Sequence, residues 1–388
     1  MSQKKILPIA AVLFSFVIMS FVDMVGVATD YVKADLQLSD GVVQFISSAA
    51  FLWFFIISVP TGLLQARFGK RNVLITGIIL SAIGLLFPFL NYTYVSVLIG
   101  FSLLGIGNTI IQVAANPLLI LIVNKEKASG FMSFSQFIKA IGSMIAVSLT
   151  ALVLVKTDDW KLVFLFFAIV SVLAALLLYS VKIEETKENK NSTTFSSCFK
   201  LLNNRFVFLM ALAIFLLVGI DVGMNTVSGQ FLIEKFGFEQ SVAASGRSLY
   251  FMGKLIGSLL GAILLTKFNP RQFLNITNVL LCVSILFFAL NPFNMASWAL
   301  LFIIGFFAAN IFPLIFTLAV ESLPKKANEI SGLLMMAISG GAIIPPLMGA
   351  IAGASNYTMS LFLLLGCGIV IVMIGLMNKP KNNIENEL

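Results

Sequence analysis

Apolar residues along this chain come in long uninterrupted runs separated by short clusters of charged and turn-forming residues. Twelve runs cover 7–29, 43–64, 73–90, 95–123, 130–155, 162–181, 206–231, 241–266, 273–290, 296–318, 330–354 and 358–377. A helix needs about 20 apolar residues to cross a bilayer, and in hydrocarbon a helix pairs its backbone groups within its own segment. The pattern predicts twelve transmembrane helices. The first run is too long for a secretory signal, lacks a small-residue cleavage site and leads straight into further spans, so it is read as a retained helix.

Composition agrees with this reading and narrows the function classes. Of 388 residues, 59% are hydrophobic and only 11% charged, and the mean hydropathy is +1.02, so no large extramembrane domain is expected. The formal charge of +8 is spread over short loops and not along one stripe, which argues against a nucleic-acid partner. With both termini inside, eighteen Lys and Arg fall in cytoplasmic loops and tails and only Lys33, Lys156, Lys161 and Lys235 outside, the bias that sets topology. The expected location is the cell's inner, cytoplasmic membrane, with the lipid bilayer as partner and a monomer as the assembly. His is absent, and Cys198, Cys282 and Cys367 lie far apart. Zinc sites, His relays and disulfide frameworks are therefore not expected, and no cofactor or metal is called for.

One long hydrophilic stretch, 182–205, lies near the midpoint. It divides the chain into an N-terminal bundle (1–181), a cytoplasmic linker (182–205) and a C-terminal bundle (206–388). The halves echo one another: Ala114-Ala115-Asn116 recurs as Ala308-Ala309-Asn310, and Ser129-Gly130 as Ser331-Gly332. The fold class expected is all-α integral membrane, with two pseudo-symmetric six-helix bundles.

Five charged residues remain inside the runs: Asp23, Lys139, Asp221, Arg247 and Lys254. Facing lipid they would cost about 12 to 18 kcal/mol together, so a shared wet cavity is expected. Counted along the helix rise, Asp23 and Asp221 lie at matching depths about 22 to 24 Å from the inner boundary. Arg247 comes to a similar level, and Lys139 and Lys254 lie about 10 Å deeper. Arg247 is the expected partner of Asp221, or else a substrate ligand. Asp23 has none in view, which makes it the leading proton carrier, with Asp221 second. The alternative for Asp23 is a packing hydrogen bond. For Lys139 and Lys254 it is snorkelling toward the interface.

The amides Asn108, Gln112 and Asn116 follow i, i+4, i+8 spacing and share one helical face. With Gln136, Asn225, Gln230 and Asn310, and aromatics such as Trp53, Phe137 and Tyr250, they suit a neutral polyol whose hydroxyls need paired donors and acceptors. The competing reading is interhelical glue. Glycines such as Gly105, Gly257 and Gly349, and Pro117, Pro313, Pro345 and Pro346 within helices, allow close contacts and kinks.

Gly62-Leu-Leu-Gln-Ala-Arg67-Phe-Gly69-Lys70-Arg71 resembles the loop motif of the major facilitator superfamily, without its acidic member. Gln112-Val-Ala-Ala-Asn116-Pro117, Phe312-Pro313 through Glu321, and Ser331-Gly332 through Ser339-Gly340-Gly341 to Pro345-Pro346-Leu-Met-Gly349 are similar to the fucose:proton symporter branch. The resemblance implies the major facilitator fold, a gating role for Gly62, Arg67, Gly69, Lys70 and Arg71, and a sugar as substrate. The branch's fucose carrier uses a first-helix carboxylate and a Glu before the Ala-Ala-Asn-Pro region. Here Asp23 stands about one turn earlier and Gln112, which carries no proton, takes the Glu position. The function expected is import of a neutral monosaccharide of fucose, galactose or glucose type in symport with a proton, by alternating access. Asn108, Gln112, Asn116, Gln136, Lys139, Asn225, Arg247, Lys254 and Asn310 are the candidate ligands. The rivals are a proton-coupled exporter of amphipathic compounds and a membrane sugar sensor that does not transport. An enzyme is not expected, because no catalytic constellation is present.

Overall fold

A computed structural model describes residues 3–123, 128–183, 185, 199–265, 268–323 and 326–377. Residues 184 and 186–198 of the expected linker, Cys198 among them, lie outside the described residues, as does the tail 378–388. Among the described residues eleven helices are long and apolar enough to cross a membrane. In chain order with one more they are α1 (Leu7–Leu36), α2 (Asp40–Gly62), α3 (Lys70–Leu90), α4 (Tyr94–Leu119), α5 (Phe134–Thr157), α6 (Leu162–Ser180) and α7 (Arg205–Phe236). They continue as α8 (Gln240–Leu264), α9 (Pro270–Leu290), α10 (Asn294–Ala319), α11 (Gly332–Ala354) and α12 (Tyr357–Met377). The addition is α8, whose 25 residues are enough to span a bilayer but are diluted by Arg247, Lys254 and several serines.

Local chemistry sets the ends. Asn204 caps α7 by accepting from the amides of Phe206 and Val207, and Asn269 does the same for α9 ahead of Pro270 at its first turn. Gly237 ends α7 in the left-handed region at φ 66°. Two helices outrun their apolar stretches: α1 continues past Thr29 to Leu36, and α7 past Phe231 to Phe236. Their added turns carry Asp30, Lys33 and Glu234, which find partners on neighbouring helices, so the polarity that ends the sequence pattern does not end the helix.

Packing repeats six helices along the chain. The pairings of α1 with α4, α5 and α6, of α2 with α4, and of α3 with α4 and α6 recur as α7 with α10, α11 and α12, α8 with α10, and α9 with α10 and α12. Small residues bring the partners together: Gly253 and Gly257 of α8 lie against the backbone of Phe302 and Phe306 in α10, and Gly305 lies against that of Tyr250. Across the two sets, α1 meets α7, α2 meets α11 and α5 meets α8.

Prolines free backbone carbonyls, and side chains of α2 and of its continuation to Phe68 collect two of them. Pro117 leaves the carbonyl of Val113 without its helical donor, and Gln65 Nε2 donates to it at 3.2 Å. Pro346 likewise frees the carbonyl of Ala342, and Ser48 Oγ donates to it at 2.5 Å. In α10 the helix breaks at Ala309 and Asn310, ahead of Pro313, whose ring cannot serve the Ala309 carbonyl. In α1 a short 3-10 segment, Ser20–Met24, interrupts the helix, and the candidate site is built around it.

Candidate functional site

The amides drawn together by spacing do converge, and what they bind first is the broken backbone of α1. Asn108 Nδ2 donates to the carbonyl of Met19 at 2.5 Å, and Asn225 Nδ2 of α7 donates to the carbonyl of Asp23 at 2.8 Å. Both groups flank or belong to the 3-10 segment, where regular pairing is lost. Gln112 Nε2 then donates to Asn108 Oδ1 at 2.7 Å, and Asn116 Nδ2 to the Gln112 carbonyl at 3.0 Å. The stripe is one hydrogen-bonded chain along α4. Asn310 of α10 acts similarly on α8, donating to the Gly257 carbonyl at 2.7 Å. Two acceptors in this set, Asn116 Oδ1 and Asn225 Oδ1, are buried without a hydrogen-bond partner among the described residues.

The break also turns Asp23 toward α5. Its carboxylate accepts from the Ser143 hydroxyl at 2.5 Å, and that hydroxyl also lies 3.1 Å from the carbonyl of Lys139, one turn away. Lys139 is half-buried and has no ion-pair or hydrogen-bond partner for its ammonium among the described residues. Gln136, a further turn toward the start of α5, is exposed. The charges that act on Asp23 come from Lys139, Lys254 and Asp221, so two acids and two bases from α1, α5, α7 and α8 share one centre.

The expected pairing of Arg247 with Asp221 is corrected. Asp221 is held by Lys254, whose ammonium donates to its two carboxylate oxygens at 2.8 and 2.7 Å, and by the hydroxyl of Tyr250. Arg247 pairs instead with Asp30, and both side chains have no exposure. A depth counted from the inner boundary, with α1 ending at Thr29, misplaces these groups. Counted from the shared turn at Gly237, Asp221 on α7 and Lys254 on α8 each lie about four helical turns away, so they face each other across the hairpin. That signal was available in the sequence; Asp30, placed at a helix end, was the residue missed.

Around Asp30 the α1–α2 end of the molecule is closed by side chains. Gln230 donates an amide proton to Asp30, and Lys33 donates to Gln230 Oε1 at 2.9 Å while ion-pairing with Asp40. Tyr357 donates its hydroxyl to Asp40 Oδ1 at 2.5 Å, and its amide donates to Glu234 Oε1 at 3.1 Å. Lys33, expected as a loop topology signal, is part of this network.

At the opposite end, Gly69 takes φ +87°, and the amides of Lys70 and Arg71 donate to the Glu185 carboxylate at 2.6 and 2.8 Å. The Arg71 guanidinium in turn donates to the carbonyls of Leu178 and Tyr179 at the end of α6, at 3.1 and 2.5 Å. Opposite charges thus sit on opposite helix termini. Glu185, from beyond α6, brings to this loop an acid that its own motif lacks. Arg67 lies over the ring of Phe68, and Gly62 has open space where a side chain would be.

A family model described as Major Facilitator Superfamily matches residues 11–247 and again 218–387. A glucose/galactose transporter of Brucella abortus is 26% identical over 367 residues, covering 90% of this chain and 89% of that protein. The L-fucose-proton symporter of Escherichia coli is 24% identical over 348 residues, covering 80% and 78%. Among solved structures, FucP in the outward conformation superposes with a TM-score of 0.72 at 20% identity, over 97% of this chain and 100% of that one. The nucleoside transporter NupG gives 0.78 at 13%, over 96% and 99%.

Proposed function

From the Major Facilitator Superfamily, to which this chain belongs, we propose a carrier that imports a neutral monosaccharide together with a proton by alternating access. The observation that carries the coupling is the setting of Asp23. Its carboxylate sits on a broken helix at the junction of α1, α5 and α7, and among the described residues one side-chain donor, the Ser143 hydroxyl, holds it. Asp221 is gripped by an ammonium and a phenol and is better suited to remain an anion. Asp23 takes the proton from outside, and its neutral form crosses the occluded state without a charge to desolvate.

The halves 1–181 and 206–388, joined by 182–205, are the rocking units, with both termini in the cytoplasm and the α1–α2 end outside. Recurrence of the same helix pairings six helices on supports this division. Gln136, Lys139 and the unpartnered oxygens of Asn116 and Asn225 are the groups with capacity left for sugar hydroxyls. Asn108, Gln112 and Asn310 serve mainly to hold the broken helices. Glucose, galactose and fucose are the first sugars to try, because they are named for the relatives.

The test is uptake of labelled sugar into proteoliposomes under an imposed pH gradient. For one proton per sugar, each pH unit drives accumulation of up to about tenfold at zero potential. Accumulation that ignores the gradient, for every sugar taken up, overturns the coupling.

A further inference from the structure

At the α1–α2 end, two layers of polar contacts join helices of opposite halves. In the deeper layer Asp30 of α1 meets Arg247 of α8 with neither side chain exposed. Arg247 is also tied to α7, donating Nε–H to the carbonyl of Asn225 and a terminal N–H to that of Thr226 at 3.3 Å. Gln230 of α7 donates to Asp30 from the same side. The pair occupies the space left by Gly229, where a Cβ would strike both the guanidinium and the carboxylate. In the layer above, Lys33 and Asp40 from the first half, paired with each other, meet Gln230 and Tyr357 from the second, and Glu234 holds the Tyr357 amide from within that half.

Arg247 therefore travels with α7 and α8, and Asp30 with α1. Any motion that parts α1 from α7 at this end must split a fully buried ion pair. The central charges do not resist in the same way, because Asp221 and Lys254 belong to one hairpin and stay together. We infer that Asp30 and Arg247 form the latch that keeps the outer end shut, and that Arg247 acts in gating and not as a sugar ligand. The latch rests on the alternating-access reading, but its strength is measured without sugar, so failure of the sugar assignment leaves the test intact.

Labels for electron–electron distance measurement go on Lys156→Cys at the end of α5 and Met295→Cys at the start of α10, both exposed at this end in opposite halves. The background is the full chain with Cys198, Cys282 and Cys367 replaced, in lipid nanodiscs. The parent gives one short-distance population. Asp30→Asn and Arg247→Gln each raise a longer-distance, outward-open population at least about tenfold, since one member of a broken buried pair is left uncompensated. The swap Asp30→Arg with Arg247→Asp returns the distribution toward the short one. Gly229→Ala keeps both charges but crowds them and lengthens the distance as well, so it carries the test if a charge variant fails to fold. An unchanged distance distribution in the folded variants overturns the latch.

Discussion

Replacing Lys254 by Met leaves Asp221 with the Tyr250 hydroxyl as its one side-chain donor among the described residues. The ion pair lies at 2.7 Å, with side-chain exposures of 24% for Lys254 and 35% for Asp221. At an effective dielectric constant of about 20, the gross attraction at that separation is about 6 kcal/mol, most of it offset by the desolvation of two charges. Breaking a fully buried pair costs about 3 to 5 kcal/mol and an exposed one about 0 to 1 kcal/mol. Partial exposure places Lys254→Met at about 2 kcal/mol, between those limits. Asp221→Asn with Lys254→Met should cost about 1 kcal/mol less than the sum of the two single substitutions, a coupling within the range for residues in contact. The assay is unfolding by SDS titration in mixed micelles, followed by the fluorescence of Trp53, Trp160 and Trp298. Asp221→Asn with Arg247→Gln should be additive to within about 0.5 kcal/mol, because those residues do not touch. A larger coupling between Asp221 and Arg247 than between Asp221 and Lys254 would refute the pairing.

Other substitutions probe the scaffold that aims the site. Asn108→Leu removes the donor to the Met19 carbonyl and should cost about 1 to 3 kcal/mol in the same titration, as a buried acceptor goes unpaired; a loss below about 0.5 kcal/mol would mean that the break in α1 does not depend on α4. Glu185→Gln weakens two charge-assisted bonds to the start of α3 and should speed hydrogen exchange at the amides of Lys70 and Arg71 by about tenfold, with the amides at the middle of α3 unchanged as the control.

Much of the architecture is legible in the sequence because hydrocarbon allows so few solutions. Apolar runs of the right length, separated by charge, become spans, and the polar exceptions must turn inward. The amide stripe of α4 is legible for the same reason, since i, i+4 spacing fixes a shared face. The target of that stripe is not. Asn108 binds a carbonyl exposed by a 3-10 break at Ser20–Met24, and nothing in the sequence between Met19 and Val25 announces the break. Prolines announce kinks but not the donors that satisfy the freed carbonyls, which here are Ser48 of α2 and Gln65 in its continuation.

Asp30 was hidden by its own success. A charged residue is read as the end of a span, yet Arg247 allows α1 to run on past it. Glu185 was hidden differently: an acid missing from a local motif was supplied from more than a hundred residues along the chain. Closure of the α1–α2 end is not free of cost either. Gln44 is buried between α2 and α11 with both amide atoms lacking hydrogen-bond partners among the described residues, a penalty of about 1 to 3 kcal/mol that hydration on opening would relieve. The buried ion pair and the unpaired amide pull the same end in opposite directions, as suits a gate that must both hold and release.

Asp23 is the group proposed to exchange the proton. Purified protein and its Asp23→Asn variant, reconstituted in vesicles with a pH-sensitive dye outside, should both exchange internal for external labelled sugar. Only the native protein should make the external medium more alkaline when sugar is added. Sugar-driven alkalinisation that persists in Asp23→Asn would contradict the account.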